Sequence, residues 1–252
     1  MKYVLEIAYN GTQYHGWQIQ KNAHTVQAEL NKTLSTLLSG EIETTGSGRT
    51  DTGVHAEQQF VQFETTEPID NPQKFLFQAN AILHKDIYIK HLYTAPDHFS
   101  VRHDAISRSY EYRISRRKNP FLQNLCCFYF HRELNVSLMQ QAADILLKHK
   151  DFQSFSKYHT DVDHFDCTIH RALWEETDDL LIFHITANRF LRGMVRAIVG
   201  TLLETGLGRI SIADFEKIIL ARDRKAAKHA VPPEGLFLTK ILYREGVLKL
   251  IV

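Results

Sequence analysis

The first hundred residues switch between the two-residue period of a strand and the longer period of a helix. Alternating apolar positions predict strands over residues 3–9, 41–45, 58–64 and 87–93. Helical spacing predicts one helix that starts after Thr25 and ends at Gly40, and another from Asn71-Pro72 to about Leu83. The resulting order, β-α-β-β-α-β, is that of the ferredoxin-like split unit, and residues 46–56 then lie in the turn of its central hairpin.

The rest of the chain continues the same mixture of strands and helices. Residues 107–115 alternate strictly, which predicts a strand with Tyr110, Tyr112 and Ile114 on one face. Two hairpins are expected, over residues 168–176 with 180–187 and over residues 236–243 with 247–252. Three helices are expected: one capped by Ser137 and running to about His149, a strongly amphipathic one over 190–205, and one capped by Ser211 and running to about Ala221.

These patterns predict an α+β protein with two related halves. We place the first half at residues 1–103 and the second at residues 104–252. Composition agrees with a globular chain, since 44% of the residues are hydrophobic and 23% are charged. The formal net charge is only +1, but the halves differ. Residues 1–100 carry 7 Lys and Arg against 11 Asp and Glu, whereas residues 101–252 carry 23 against 18. The basic second half is compatible with an anionic partner.

Cysteine usage and the N-terminus both suggest a cytoplasmic protein. The cysteines Cys126, Cys127 and Cys167 form neither a disulfide framework nor a paired metal knuckle, so buried thiols in a reducing compartment are expected. Residues 1–6 contain charges and lack the apolar core of a signal peptide. No apolar run approaches the roughly 20 residues needed to span a bilayer.

The stretch Gly46–Ala56 contains three of the twelve glycines together with Arg49, Asp51 and His55. Glycine allows tight turns and close approach to a ligand, so Asp51 is a candidate for a presented catalytic carboxylate. An ordinary hairpin whose Asp caps its own backbone fits the same composition equally well. Local spacing leaves both interpretations open.

Further candidates lie in the second half. Arg192 and Arg196 are four residues apart, so a helix would place them on one face, either as partners for an acid or as solvated charges. Tyr110 and Tyr112 alternate with arginines, an arrangement that suits base stacking, although tyrosines facing the core are the commoner case. Basic residues cluster at 116–118 and again between Arg222 and His229, where they either contact phosphates or are simply solvated.

The run from His159 to His170 is rich in metal-ligand residue types. It contains His159, Asp161, Asp163, His164, Asp166, Cys167 and His170. Their spacing matches no standard zinc template, so a polar loop is the preferred interpretation and no metal is expected.

Five motifs in order resemble the TruA-type tRNA pseudouridine synthases. The segment Gly48–Ala56 resembles the catalytic signature of that family, and Tyr9–Gln18 resembles its N-terminal motif. The remaining three correspond to its tyrosine strand, its arginine helix and its closing Pro-Pro-Glu-Gly-Leu segment, at residues 107–112, 190–200 and 222–238. Together the five motifs span nearly the whole chain.

The resemblance implies a pseudouridine synthase fold, with two ferredoxin-like halves around a central, mostly antiparallel sheet that has helices on its flanks. It also implies a homodimer that isomerises uridine to pseudouridine in the anticodon stem-loop of tRNA, without a metal or organic cofactor. By position, Asp51 is then the catalytic aspartate and Arg196 its ion-pair partner. Tyr110 stacks on the target base and assists proton movement.

The same resemblance suggests substrate contacts. Arg49 would hold or displace the flipped nucleotide, and Leu236 would line the base pocket. Arg192 and Arg108 are expected to contact RNA. The rival interpretation is a non-catalytic RNA-binding module that uses the same sheet and basic surface. A hydrolase with a carboxylate nucleophile is a third, weaker one.

Overall fold

A computed structural model describes residues 1–129, 133–157 and 163–252. It divides into two compact units. The first comprises Met1–Ile106 together with Phe237–Val252, and the second comprises Ser107–Leu236. The sequence assigned all of residues 104–252 to the second half. The difference at the C-terminus arises because the last strands pair with strands of the first unit.

Helices and strands are interspersed along the described chain. In order they are β1 (Lys2–Tyr9), α1 (Val26–Leu38), β2 (Thr45–Gly46), β3 (His55–Glu64), α2 (Pro72–Ile82), β4 (Ile87–Thr94), β5 (Ser107–Ser115), β6 (Cys127–Phe128), α3 (Val136–Leu146), β7 (Ile169–Glu176), β8 (Leu180–Ala187), α4 (Met194–Gly206), α5 (Ile212–Leu220), β9 (Leu236–Leu242) and β10 (Lys249–Leu250). The predicted α+β class is confirmed.

The first unit is built on a sheet in which β1 lies between β3 and β4 and pairs antiparallel with both. The short β2 pairs antiparallel with β3, so the predicted central hairpin is present. Both helices begin where the sequence indicated, because the side chains of Thr25 and Asn71 accept hydrogen bonds from the first turns of α1 and α2. The order β-α-β-β-α-β is therefore confirmed.

The closing segment forms no hairpin of its own, so that prediction is wrong. Strand β9 pairs in parallel with β3, with Phe237 opposite His55, and β10 pairs antiparallel with β4. The turn signal at Glu245-Gly246 is real, since Gly246 has a φ of 75°. The segment that follows this turn pairs with β4 and not with β9.

The second unit contains an antiparallel sheet in which β8 lies between β5 and β7. The predicted strand at 107–115 and the hairpin of β7 and β8 are confirmed, and β6 adds to β5 in parallel. Helix α3 packs against α4, α5 and β7. Its N-cap is Asn135 rather than the predicted Ser137, because the Asn135 side chain accepts from Leu138 N.

Helix α4 differs from its prediction in two respects. It starts at Met194 rather than near residue 190, because the N-cap Gly193 has a left-handed φ of 72°. It is buried on nearly all sides rather than amphipathic, with eleven of its thirteen residues in the core. Arg196 is one of the two exceptions. A helix that is apolar all round belongs in the interior of a unit, not at its surface.

Within the described parts of the chain, no helix has the length and apolar character that crossing a membrane requires.

Candidate active site

The loop between β2 and β3 presents Asp51. Val54 N donates to Asp51 O at 3.1 Å, and Gly53 adopts a φ of 76°, so the chain turns back directly after the aspartate. Asp51 is half-buried, whereas Arg49 and Thr52 are exposed. The turn thus holds the carboxylate at the edge of solvent while its backbone is fixed.

The first part of this loop is tied to β3. Ser47 N donates to Phe60 O at 2.8 Å, and the buried Ser47 hydroxyl accepts from Phe60 N at 3.2 Å. The same hydroxyl donates to Gln59 Oε1 at 2.9 Å, and Gln59 Nε2 donates to Gly48 O at 2.8 Å. The hydrogen bonds of a buried Ser–Gln pair therefore fix the first part of the loop.

The N-terminal motif interlocks with the Asp51 loop through two glycines. A Cβ on Gly11 would lie 2.0 Å from Val54 O, and one on Gly16 would lie 2.6 Å from Thr50 O. Gly16 also has a left-handed φ of 89°. The two segments approach so closely that only glycine fits at either position. The N-terminal motif is therefore the support on which the aspartate loop rests.

Thr50, the residue before the aspartate, is held at two points. Its hydroxyl shares a buried hydrogen bond of 2.8 Å with Tyr9 OH, and its carbonyl accepts from Trp17 N at 3.1 Å. The Trp17 indole fills the space beside Gly46, where a Cβ would come within 2.5 Å of it. Neither Tyr9 nor Trp17 was expected from the sequence to have a role. The glycines of the N-terminal motif were the available signal for this contact.

His55, which ends the turn, has a structural role. It is 1% exposed, its Nδ1 accepts from Gly11 N at 3.1 Å, and its ring stacks on Phe237 with 4.5 Å between centroids. Because Nδ1 is an acceptor, any proton on a neutral ring lies on Nε2. The histidine of the signature thus links β3, the N-terminal motif and β9.

The two tyrosines of β5 have different environments. Tyr112 is fully buried, and its OH donates to Pro232 O at 2.8 Å. Burial is the main factor that raises the pKa of Tyr112 well above its usual range, while Arg196 acts in the opposite direction. Tyr110 is half-buried and meets Phe190 edge to face at 5.2 Å. Tyr112 is therefore a core residue, whereas Tyr110 keeps part of its ring accessible.

Arg196 lies in the first turn of α4 and is half-buried. Its Nε donates to Val231 O at 2.7 Å, and Val231 N donates to Arg196 O at 3.1 Å. The segment before Val231 lies directly on α4, because a Cβ on Gly200 would be 1.9 Å from His229 O. The closing motif and the arginine helix therefore form one packed assembly.

The remaining predicted contacts are placed as follows. Arg108 is half-buried, and its Nη1 donates to Asn188 O at 2.9 Å. Arg192 is exposed and precedes α4, so it does not share a helical face with Arg196 as the sequence suggested. Leu236, the last residue of the second unit, is 6% exposed.

The structure divides the predicted catalytic residues between its units. Asp51 and Arg49 share one loop of the first unit, whereas Tyr110 and Arg196 belong to the second. The ion pair between Asp51 and Arg196 and the stacking role of Tyr110 remain predictions.

Acidic neighbours accompany both basic stretches. Arg116 lies 2.7 Å from Glu176, and Arg222 lies 2.9 Å from Asp151. Both arginines are exposed, so these pairs contribute little stability and leave the guanidinium groups close to solvent.

No described residues form a group of three His, Cys, Asp or Glu side chains able to hold a metal ion. Of the predicted polar cluster, His159 and Asp161 lie outside the described residues. His164 instead contacts Arg189, whose Nη1 is 3.1 Å from the ring Nε2.

Known proteins match this chain along most of its length. A family model described as tRNA pseudouridine synthase matches residues 7–104 and 142–244. A tRNA pseudouridine synthase A from Parabacteroides distasonis is 40% identical over 244 residues, which cover 97% of this chain and 96% of that protein. One from Geobacillus sp. is 39% identical over 240 residues, with 94% and 96% covered.

The chain has an α+β fold with a carboxylate presented on a loop, and it matches these enzymes along most of its length. It is therefore one of the RNA-modifying isomerases. The chain belongs to the tRNA pseudouridine synthase family, whose members convert uridine to pseudouridine in tRNA.

Proposed function

We propose that this protein isomerises uridine to pseudouridine in the anticodon stem-loop of tRNA, with Asp51 as its catalytic carboxylate. The observation that carries the proposal is the Asp51 loop. Its backbone is fixed by β3 and by the N-terminal motif, while the aspartate itself is half-buried at the turn. A non-catalytic RNA-binding module has no need for a carboxylate held in this way.

The reaction is an isomerisation and consumes no second reactant. The bond between N1 of uracil and C1′ of ribose breaks, the base rotates, and a bond between C5 and C1′ forms. The C5 proton leaves and N1 gains a proton, so atoms and charge balance. Asp51 acts as the nucleophile, either by adding to the base or by trapping the sugar at C1′. Neither route requires a metal or an organic cofactor.

Arg196 is the proposed partner of Asp51. A guanidinium beside a carboxylate favours the ionised form, which is the form able to act as a nucleophile. The bond from Arg196 Nε to Val231 O orients the side chain, and a guanidinium can bind a carboxylate through two parallel N–H groups.

The target base must leave the helical stack before it can react, which costs a few kcal/mol. Stacking on the accessible part of the Tyr110 ring recovers about 1–3 kcal/mol of that cost. Phe190 holds the ring edge to face and so limits its motion. The exposed Arg49 would hold the displaced nucleotide, and the apolar Leu236 would line the base pocket.

We further propose that the enzyme acts as a homodimer in the cytoplasm. Its tRNA substrate and its three buried thiols support a location in a reducing compartment.

The test is site-resolved pseudouridine mapping on unmodified tRNA by carbodiimide adducts and primer extension. Wild type should give new stops in the anticodon stem-loop, and Asp51→Ala should give none. Glu43→Ala, which removes an exposed carboxylate from the same unit, is the matched control and should behave as wild type. A wild-type protein that binds tRNA without modifying it would support the RNA-binding module instead.

A further inference from the structure

Phe190, which packs against the proposed stacking residue Tyr110, is flanked in the chain by Arg189 and Arg192. Lys157 and Arg192 are exposed, and Arg189 and Arg108 are half-buried. None of Lys157, Arg189 or His164 has a role in the function proposed above. We name the set formed by Lys157, Arg189, Arg192 and His164 the Phe190 patch.

Asn188 organises one side of this region. Its side-chain oxygen accepts from Thr168 N and from Arg189 N, each at 2.8 Å. Its backbone carbonyl accepts from Arg108 Nη1 at 2.9 Å. One asparagine therefore fixes the backbone from which Arg189 projects and also holds the guanidinium of Arg108.

Arg189 is held against His164. Its Nη1 lies 3.3 Å from Nδ1 and 3.1 Å from Nε2 of the imidazole, so it sits against the ring and not at a single lone pair. Asp166 N donates to His164 Nδ1 at 3.2 Å, which fixes the ring. A guanidinium fixed in this way loses less entropy when it binds an anion.

Lys157 joins the same surface through the backbone. Its N–H donates to Arg192 O at 3.0 Å, and its Cβ lies 4.0 Å from the position that a Cβ on Gly193 would occupy. The exposed side chains of Lys157 and Arg192 therefore leave the backbone at positions that are close in space. The carboxylates of Asp163 and Asp166 belong to the adjoining segment and are exposed.

We infer that the Phe190 patch binds the sugar–phosphate backbone of the tRNA next to the nucleotide that Tyr110 receives. Guanidinium and ammonium groups beside an accessible aromatic ring are the combination that single-stranded and unpaired RNA requires. The ring takes a base, and the cations take the neighbouring phosphate oxygens. This assignment rests on the proposed function, and it gives the histidine-rich stretch a part in RNA binding in place of metal binding.

The test measures the salt dependence of tRNA binding by fluorescence anisotropy. Each phosphate contact contributes about 0.7–0.9 to the slope of log Kd against log salt concentration. The triple variant Lys157→Ala, Arg189→Ala, Arg192→Ala should lower that slope by about 2. It should weaken binding roughly 100-fold at about 0.1 M salt and hardly at all near 1 M salt.

The control removes the same number of charges elsewhere in the unit, with Lys148→Ala, Arg209→Ala and Lys217→Ala. All three positions are exposed, and the slope in this variant should stay close to that of wild type. Equal slopes for the two triple variants would overturn the inference. The double variant Arg189→Lys, Arg192→Lys, with Lys157 unchanged, retains the charge, so it should retain most of the slope.

The two proposals fail in different ways. If the Phe190 patch does not bind RNA, wild type still forms pseudouridine and only the slopes disagree with expectation. If the proposed function is wrong, wild type leaves the tRNA unmodified whatever the slopes show.

Discussion

The hydrogen bond between Tyr9 and Thr50 provides a sharp test of how the aspartate is held. Tyr9 is 4% exposed and Thr50 is 8% exposed, and their hydroxyl groups are 2.8 Å apart. Thr50 is the residue directly before Asp51. Tyr9→Phe keeps the aromatic packing and removes only the phenol oxygen. We therefore expect the loop to remain folded but to lose one of the two contacts that fix Thr50.

The size of the effect follows from burial. Leaving the hydroxyl of Thr50 without this partner should destabilise the fold by about 1–3 kcal/mol. For a chain of this size, that corresponds to about 2–4 °C in Tm per kcal/mol. Thr50→Val removes the other partner. The double variant Tyr9→Phe/Thr50→Val should be more stable than the sum of the single effects predicts, because no unsatisfied hydroxyl is then left buried.

The Tyr9→Phe variant should also lose activity under conditions in which it remains folded. A displacement of about 1 Å in a catalytic group costs on the order of 10²-fold in rate, so kcat should fall about 10- to 100-fold while KM changes little. Tyr3→Phe is the matched control, since Tyr3 lies on the same strand as Tyr9 but away from the loop, and its OH accepts a hydrogen bond from Ile69 N. Equal kcat values for the two variants would refute the positioning role of Tyr9.

Three further outcomes are expected. Tyr110→Phe should bind tRNA within about twofold of wild type but lose most of its turnover, as measured by anisotropy and by single-turnover kinetics; unchanged turnover would remove Tyr110 from the chemistry. Gly200→Ala should lower both Tm and activity, because its Cβ would lie 1.9 Å from His229 O, whereas Gly40→Ala, with no atom nearer than 3.8 Å, should do neither. Burial raises the pKa of Tyr14 from 10.0 to about 12, so its contribution to stability is full below pH 10 and is lost as pH rises toward 12. Urea midpoints measured across that interval should fall, and a flat profile would contradict the assignment.

The elements that could be predicted from the sequence are those fixed by local chemistry. The caps at Thr25, Asn71 and Ser211 are each closed by a side-chain oxygen that accepts from a backbone N–H of the first turn. The alternating pattern of residues 107–115 likewise marks β5 from end to end. Each of these signals lies within a few residues of the feature that it determines.

What could not be predicted depends on residues far apart in the chain. Phe237 pairs with His55 in a parallel register that no local pattern encodes, whereas the turn at Glu245-Gly246 suggested a hairpin. Helix α4 starts late because Gly193 adopts a left-handed conformation, which composition does not reveal.

The candidate site shows the same division. The residue types around Asp51 indicated a catalytic loop, but the contact of Gly11 with Val54 appears only when two distant segments are packed together. Likewise, Asn188 accepts hydrogen bonds from the Arg108 side chain and from Thr168 N, two residues that are far from it in the chain.

The most direct test of the account is the single-turnover rate of pseudouridine formation by Asp51→Asn, with enzyme in excess over an anticodon stem-loop RNA. The amide has nearly the same shape as the carboxylate but is not a comparable nucleophile, so folding and RNA affinity should be retained. The rate should fall by at least about 10⁴-fold relative to wild type. A variant that binds the RNA normally and still forms pseudouridine at a rate near that of wild type would contradict the assignment of Asp51 as the catalytic residue.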